Sequence, residues 1–193
     1  MLSYKESLKI LKETNALIEG HFILSSGLHS DKYVQCAKLL SHPKKSHNLC
    51  LSLSEKISDK FKKIDLILSP ALGGIIIGYE MGRVLNIETI FAERVDGQFK
   101  LRRGFEIKKN QNVLITEDVI TTGKSSLECS DIVKKYSANL IGFACIIDRS
   151  NGKSLIKKDI VSQIQLEIPT YTKDNLPKHL LEIEPTKPGS RSL

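Results

Sequence analysis

Helical and strand-like periods of apolar residues alternate along this chain. Ser3 and Glu6 stand three positions apart ahead of an apolar face, the spacing of a capping box. Tyr4, Leu8, Leu11 and Ile18 follow one helical face, with Gly20 ending the segment. Residues 22–35 are mixed in character and turn-rich. Pro43 opens a second helical pattern, with Cys50, Leu53, Ile57 and Phe61 on one side. Residues 64–69 form a short apolar run that ends in Pro70. Gly73-Gly74 then starts a helical stretch to Leu85, and residues 87–92 predict another strand. Residues 99–107 are expected to pair with it as a hairpin around Asp96-Gly97. Residues 112–116 and 140–147 read as buried strands, and 164–168 as the last one. Cys129, Ile132, Val133 and Tyr136 fall at i, i+3, i+4 and i+7, a helical stripe between two of those strands. A short helix is expected near His179, and a loosely held tail after Glu184.

Strands and helices in this order predict an α/β fold, with a mostly parallel central sheet covered by helices on both faces. At 193 residues the chain is expected to form one domain. No apolar run approaches the roughly 18 residues that a membrane-spanning helix requires. The N-terminal residues mix Lys and Glu with apolar positions, unlike the layout of a signal peptide. The cysteines, Cys36, Cys50, Cys129 and Cys145, show no metal-binding spacing and are expected to be reduced packing residues in a cytoplasmic protein. The histidines at 42, 47 and 179 are read as structural, not as metal ligands.

Charge narrows the partners. Lys and Arg total 29 against 22 Asp and Glu, a net +7 that favours anionic ligands. Between 94 and 109 six cations face two acids. By spacing alone, that cluster serves a phosphate-rich ligand or is a solvated hairpin, and the two readings stand level.

The sharpest chemistry lies after the 112–116 strand. Glu117 and Asp118 are expected at its end, followed by Val119-Ile120 and then Thr121-Thr122-Gly123-Lys124-Ser125 at a helix start. Small hydroxyl residues and glycine there expose backbone N–H groups at the positive end of the helix dipole, a phosphate cradle. Gly-Lys-Ser suggests a P-loop, but that motif needs glycine where Asp118 stands. Two carboxylates beside such a cradle suit a sugar diol or a Mg²⁺-bound ligand. The alternative is that both acids merely cap the next helix.

Residues 113–125, VLITEDVITTGKS, resemble the phosphoribosyl-diphosphate (PRPP) signature of the type I phosphoribosyltransferases. Gly20-His21-Phe22, Leu24-Ser25-Ser26-Gly27 and His29-Ser30 resemble the substrate segment of the orotate branch of that family, in its shorter bacterial form. Residues 68–74 resemble its diphosphate loop, 91–105 its mobile hairpin, and Ile147-Asp148-Arg149 its orotate-binding strand end. The resemblance implies a type I fold with a small N-terminal hood, made by about residues 1–40 with C-terminal residues, and a flexible β-hairpin loop. It implies transfer of the phosphoribosyl group of PRPP to N1 of orotate, in pyrimidine (UMP) biosynthesis.

The same resemblance assigns roles. Glu117 and Asp118 would meet the ribose hydroxyls, with Val119 and Ile120 between them and the phosphate loop. Thr121, Thr122, Gly123, Lys124 and Ser125 would hold the 5′-phosphate. Ala71, Leu72, Gly73 and Gly74 would line the diphosphate, in a loop that often carries a non-proline cis peptide in this family. Mg²⁺ would be held mainly through PRPP, with Asp118 the one candidate protein ligand. Thr121, Arg149, Ser26 and Gly27 would hold orotate. Without the resemblance, Arg149 reads as a surface ion-pairing residue. Asp118 with Arg94, Lys100, Arg102 and Arg103 would form the catalytic set, some of these cations reaching the partner's site in a homodimer. Departures from the longer orotate enzymes stand out: a mobile segment with fewer lysines and no histidine, no lysine in 71–74, and Ser25 where they carry a lysine. His21 and His29 shape the pocket or belong to its walls, and Tyr33 belongs to the core or lines the pocket.

Two rivals remain at this point. One is transfer to a purine or another base. The other is a nucleic-acid-binding regulator on the same fold, which the +7 charge permits. It is disfavoured by the lack of an aromatic-interleaved basic stretch. Neither nucleic acid nor membrane is expected as a partner.

Overall fold

Ser3 and Glu6 close the capping box that begins the first helix. Glu6 N–H donates to Ser3 Oγ at 3.3 Å, and Ser3 N–H donates to Glu6 Oε2 at 2.7 Å. This computed structural model describes residues 1–24 and 26–188. The resembling position Ser25 and the last five residues, 189–193, lie outside the described part. Helix α1 (Tyr4–Glu13) buries Ser7 and Leu11. Ser3→Ala should cost about 1 kcal/mol of stability, as loss of a cap does, read as a lower urea midpoint at unchanged slope.

The helix is shorter than its apolar spacing suggests. Thr14 caps it, its hydroxyl donating to the Ile10 carbonyl at 2.8 Å, and Asn15 takes the left-handed conformation at φ 54°. The chain then reverses into β1 (Leu17–Ile23), so Ile18 and Gly20 lie in a strand. Strand β1 pairs antiparallel with β2 (His29–Val34). The short helix α2 (Cys36–Leu40) follows, without a clear sequence signal. Helix α3 (Pro43–Lys60) starts on its proline and buries Leu49, Cys50, Leu53 and Ile57 completely.

The main sheet comprises β3 (Leu66–Pro70), β4 (Thr89–Val95), β5 (Gln98–Leu101), β6 (Asn112–Ile120), β7 (Asn139–Asp148) and β8 (Ile160–Gln165). Their spatial order is β5-β4-β3-β6-β7-β8, all parallel except the β5 edge. Helix α4 (Gly73–Leu85) connects β3 to β4, and α5 (Lys124–Lys135) connects β6 to β7. Alternate residues of one strand feed opposite cores. Ile67 and Leu114 pack with α3 and α4, whereas Leu66, Leu68, Val113 and Ile115 pack with α5. That two-sided burial is why the strands read as continuous apolar runs.

Several boundaries shift. The second hairpin strand covers only Gln98–Leu101, not 99–107, because the chain turns at Arg103 and Gly104, both at positive φ. The last strand begins at Ile160, earlier than 164, because Phe143 and Ala144 of β7 recruit it there. Tyr136 caps α5 and stays 37% exposed, so the buried stripe ends at Val133. The tail is held where it is described: Thr186 N–H donates to the His21 carbonyl, and Ile23 N–H to the Thr186 carbonyl, both at 2.8 Å. Tyr171 pairs in the same way with His29, so C-terminal residues flank both strands of the β1–β2 hairpin. After a 3-10 turn (Lys173–Asn175), α6 (Lys178–Leu181) is the short helix expected near His179.

Candidate active site

Strand β6 does not stop at Glu117 and Asp118; it continues to Ile120, paired with Asp148 of β7. The pair therefore sits inside a ladder, and pleating sends the two carboxylates to opposite faces. Glu117 points toward α5, where Ser126 Oγ–H donates to its Oε2. Asp118 points toward the start of α4. A Cβ placed on Gly73 would lie 3.1 Å from Asp118 Oδ1, so a side chain there would press on that carboxylate. Asp118 Oδ1 accepts the Val119 N–H at 2.9 Å. Neither carboxylate caps α5, which removes the alternative left open by the sequence: its N-cap is Gly123.

Both helix starts at this edge lack side-chain caps. Several of their first-turn N–H groups, those of Gly73 and Gly74 and of Ser125 among them, have no backbone or side-chain acceptor among the described residues and can meet an anion. Ahead of α4, the Ala71–Leu72 peptide is cis, and Ala71 N–H donates to the Ala92 carbonyl at 2.8 Å. Ahead of α5, Gly123 adopts φ 77° against Ile156. Thr122 supports the turn twice: its Oγ1 accepts the Lys124 N–H at 3.3 Å, and its carbonyl accepts the Leu155 N–H at 2.9 Å. Thr121, Thr122 and Lys124 are exposed around this turn, and Ser125 is half-buried.

Burial dominates the electrostatics. It pushes the Glu117 carboxyl up to about 7, against the stabilising Ser126 hydrogen bond and aided by the neighbouring Asp118 charge. Burial also raises Asp118, opposed by the Val119 N–H. Two acids reluctant to ionise at one edge make it the candidate functional site. Arg149 follows β7, its N–H donating to the Ile120 carbonyl at 2.9 Å. Its guanidinium is partly buried, which lowers its pKa, while Tyr33 of β2 lies near enough to oppose that. The β1–β2 hairpin thus comes near the strand ends at Tyr33, a residue the sequence left between core and pocket lining. Ser26 and Gly27 occupy the exposed β1–β2 turn, with Gly27 at φ 82°. Among the described residues no hydrogen bond links that turn to the strand-end loops.

Asp96 and Gly97 both have positive φ, the geometry of a type I′ turn, and form the expected hairpin tip. Its cations are not equally available. Arg94 pairs with Glu128 of α5 at 2.9 Å and stacks 4.2 Å from the Phe99 ring. Lys100 lies 3.6 Å from Asp96. Arg103 forks onto both oxygens of Glu93 at 2.9 Å. Arg102 is exposed, with no ion pair among the described residues.

The sequence reading missed Ser126 and Glu93. Glu93 lies one residue outside the basic window, and only the hairpin register shows what it opposes. His21 and His29 form a buried pair, Nε2 to Nδ1 at 2.6 Å, with His21 Nδ1 on the Ile183 carbonyl at 2.8 Å. They tie the β1–β2 hairpin to the C-terminal segment. Among the described residues no group of three or more His, Cys, Asp or Glu side chains is arranged to hold a metal.

Comparison with known proteins agrees with this geometry. The family model described as phosphoribosyl transferase domain matches residues 38–174. An orotate phosphoribosyltransferase of Parvibaculum lavamentivorans is 45% identical over 96% of this chain and 97% of its own length. One from Caldicellulosiruptor saccharolyticus is 46% identical over 96% of both. Among solved structures, orotate phosphoribosyltransferase from Aeropyrum pernix superposes with a TM-score of 0.71 at 22% identity, covering 82% of this chain and 92% of that one. An adenine phosphoribosyltransferase reaches 0.68 at 17% identity, covering 84% and 100%. The structures share the fold across different bases, while the sequence relatives fix the branch: the chain belongs to the orotate phosphoribosyltransferase family.

Proposed function

We infer that this chain is an orotate phosphoribosyltransferase, which moves the 5-phosphoribosyl group of PRPP to N1 of orotate and releases diphosphate. The product is orotidine 5′-monophosphate, a step of pyrimidine biosynthesis. The observation that carries this reading is the placing of Glu117 and Asp118 between two uncapped helix starts. One start, with Thr121, Thr122, Gly123, Lys124 and Ser125, suits a 5′-phosphate. The other, with Ala71, Leu72, Gly73 and Gly74, suits a diphosphate. The two carboxylates lie between them, Glu117 turned toward the α5 start and Asp118 toward the α4 start.

Transfer proceeds with positive charge growing on the anomeric carbon as diphosphate departs. Glu117 and Asp118 orient the ribose hydroxyls, and the backbone N–H groups hold both phosphate ends. The cationic hairpin meets the charge developing on the leaving group, the kind of electrostatic contribution that is commonly the largest in catalysis. Arg149 offers a two-pronged donor to the orotate carboxylate, and its partial burial strengthens that hydrogen bond. Thr121, Ser26 and Gly27 complete the base site.

The donor set fits Mg²⁺ bound through the substrate. Asp118 has one oxygen on a backbone N–H, leaving the other for a shared cation, and hard cations accept such mixed protein, phosphate and water shells. Bound there, the ion would offset charge on the diphosphate.

A homodimer is supported by Leu72, Ile76 and Tyr79, which stand 84%, 52% and 67% exposed along α4 beside the diphosphate loop. Four free buried thiols suit a reducing cytoplasm. No described helix is long and apolar enough to cross a membrane.

Mixing the protein with orotate, PRPP and Mg²⁺ should deplete orotate absorbance only when all three are present. Asp118→Asn should slow that depletion sharply. A base panel discriminates the purine alternative, since only orotate brings the carboxylate that Arg149 awaits. Turnover of adenine or hypoxanthine in place of orotate would overturn the reading.

A further inference from the structure

Four hairpin cations are too many equivalent candidates for one leaving group, and the structure separates them. Arg103 is fixed in four ways. Its Nε and a terminal nitrogen donate to the two oxygens of Glu93, each at 2.9 Å. Its guanidinium lies over the Phe91 ring at 5.7 Å, and Phe91 packs edge-on to Phe105 at 5.2 Å. Its backbone takes φ 59°, followed by Gly104 at φ 73°. The Phe105 N–H closes that turn on the Arg102 carbonyl at 3.0 Å. Such a fork adds geometric definition as well as energy.

Arg94 is similarly engaged, by Glu128 of α5 and by the Phe99 face. Lys100 meets Asp96 only loosely, at 3.6 Å near the hairpin tip. Arg102 is the first residue of the turn that Arg103 anchors, exposed and in no ion pair among the described residues; Glu93 lies near enough to feel its charge but is forked by Arg103.

We propose that the two adjacent arginines divide the work: Arg102 is the catalytic cation that meets the leaving diphosphate, and Arg103 is a positioning residue that Glu93 locks into the hairpin base to present it. This division rests on the phosphoribosyl-transfer reading above. It makes Glu93 part of the machinery although its carboxylate never touches substrate. An anion added to the leaving-group side would oppose the reaction unless its charge were spent elsewhere, and the Arg103 fork spends it.

The test is a charge swap. Arg103→Glu alone puts two carboxylates together at the hairpin base and should lower kcat at least about 100-fold. The double variant E93R/R103E restores the ion pair in reverse and should return kcat to within about fivefold of wild type, because the lock matters and its polarity does not. E93Q/R103Q keeps a hydrogen-bonded pair without charges and should behave the same way. Arg102→Gln should lower kcat about 100-fold or more with KM for PRPP changed only a few-fold, and no change at 93 should rescue it. Arg102→Lys should recover part of the loss. Amide hydrogen exchange across 93–105 should be native in R102Q and in the swap, and faster in R103E.

The proposal is overturned if the swap and the amide pair stay as slow as R103E while their hairpin exchange is native, because Arg103 itself would then be the reacting cation. It is also overturned if R102Q turns over within a few-fold of wild type. Wild-type turnover of orotate with PRPP, measured first, tests the underlying reading by itself; its absence sinks that reading, whereas the ratio of swap to single variant tests the division alone.

Discussion

Replacing Glu117 with glutamine should stabilise the unliganded protein at alkaline pH while abolishing most of its activity. Burial lifts this carboxyl from 4.5 to about 7 in the folded chain. Between those values the folded state holds a proton that the unfolded state has lost. Stability from this group is therefore fully present below about pH 4.5 and disappears as pH rises through about 7. At 1.36 kcal/mol for each unit, ionising the buried acid costs roughly 2–3 kcal/mol more at pH 8 than at pH 5. Glutamine carries no such cost and still accepts the Ser126 hydroxyl. Urea unfolding of the unliganded proteins should show E117Q close to wild type at pH 5. At pH 8 it should be the more stable, by about 5–10 °C in a thermal scan of a domain this size. An advantage that is the same at both pH values would show that burial does not govern this group. Trading stability for a strained functional group is the usual pattern at active sites, and PRPP with its cation should reverse the difference by drawing the carboxylate into use.

The same residue shows what could and could not be read from the chain. Glu117, Asp118 and the loop after them were legible because their chemistry is local: a strand, two acids, then hydroxyls and glycine at a helix start. The sheet was legible for a related reason. Strands buried on both faces need unbroken apolar runs, and only a parallel, helix-covered sheet uses several of them. The opening strand was not legible, because Ile18 keeps the helical phase of Leu11 by coincidence. What ends α1 is Asn15 turning left-handed, a single-residue event invisible to periodicity. Partners separated in sequence were hidden for a different reason. Ser126 reaches Glu117 only because β6 continues past it and α5 folds back beneath the sheet. Glu93 meets Arg103 only once the Asp96-Gly97 turn sets the hairpin register. The pairing of Thr186 with His21, across more than 160 residues, had no local signal. The two faces of the site were likewise hidden: with Glu117 and Asp118 at a strand end they would point wherever a loop allows, whereas inside the ladder pleating forces them apart.

Gly123 supplies the second large effect, because backbone conformation and packing both forbid a side chain there. Its φ of 77° lies in the left-handed region, where a β-branched residue is strongly disfavoured. A Cβ on it would also fall 2.7 Å from Ile156 Cγ1 and 3.1 Å from Ser154 Oγ. Ile156 is part of the buried layer beneath α5, and its neighbour Leu155 is bonded to Thr122, so the 154–156 segment cannot simply retreat. The strain must move residues 121–125 instead. Displacing their N–H groups from a phosphate by a fraction of an ångström weakens several charge-assisted bonds at once, and misplacement of about 1 Å can cost 100-fold. Gly123→Val should therefore raise KM for PRPP about 100-fold or more, with overpacking costing a further 1–3 kcal/mol of stability. Gly123→Ala should show the same direction with smaller values. Orotate affinity, measured with PRPP saturating, should change less, because Thr121 is the one assigned orotate contact in the displaced turn, whereas Arg149 is anchored through Ile120. If KM for PRPP stayed within twofold of wild type in the valine variant, the 5′-phosphate would have to bind elsewhere, and the α5 start would lose its assigned role.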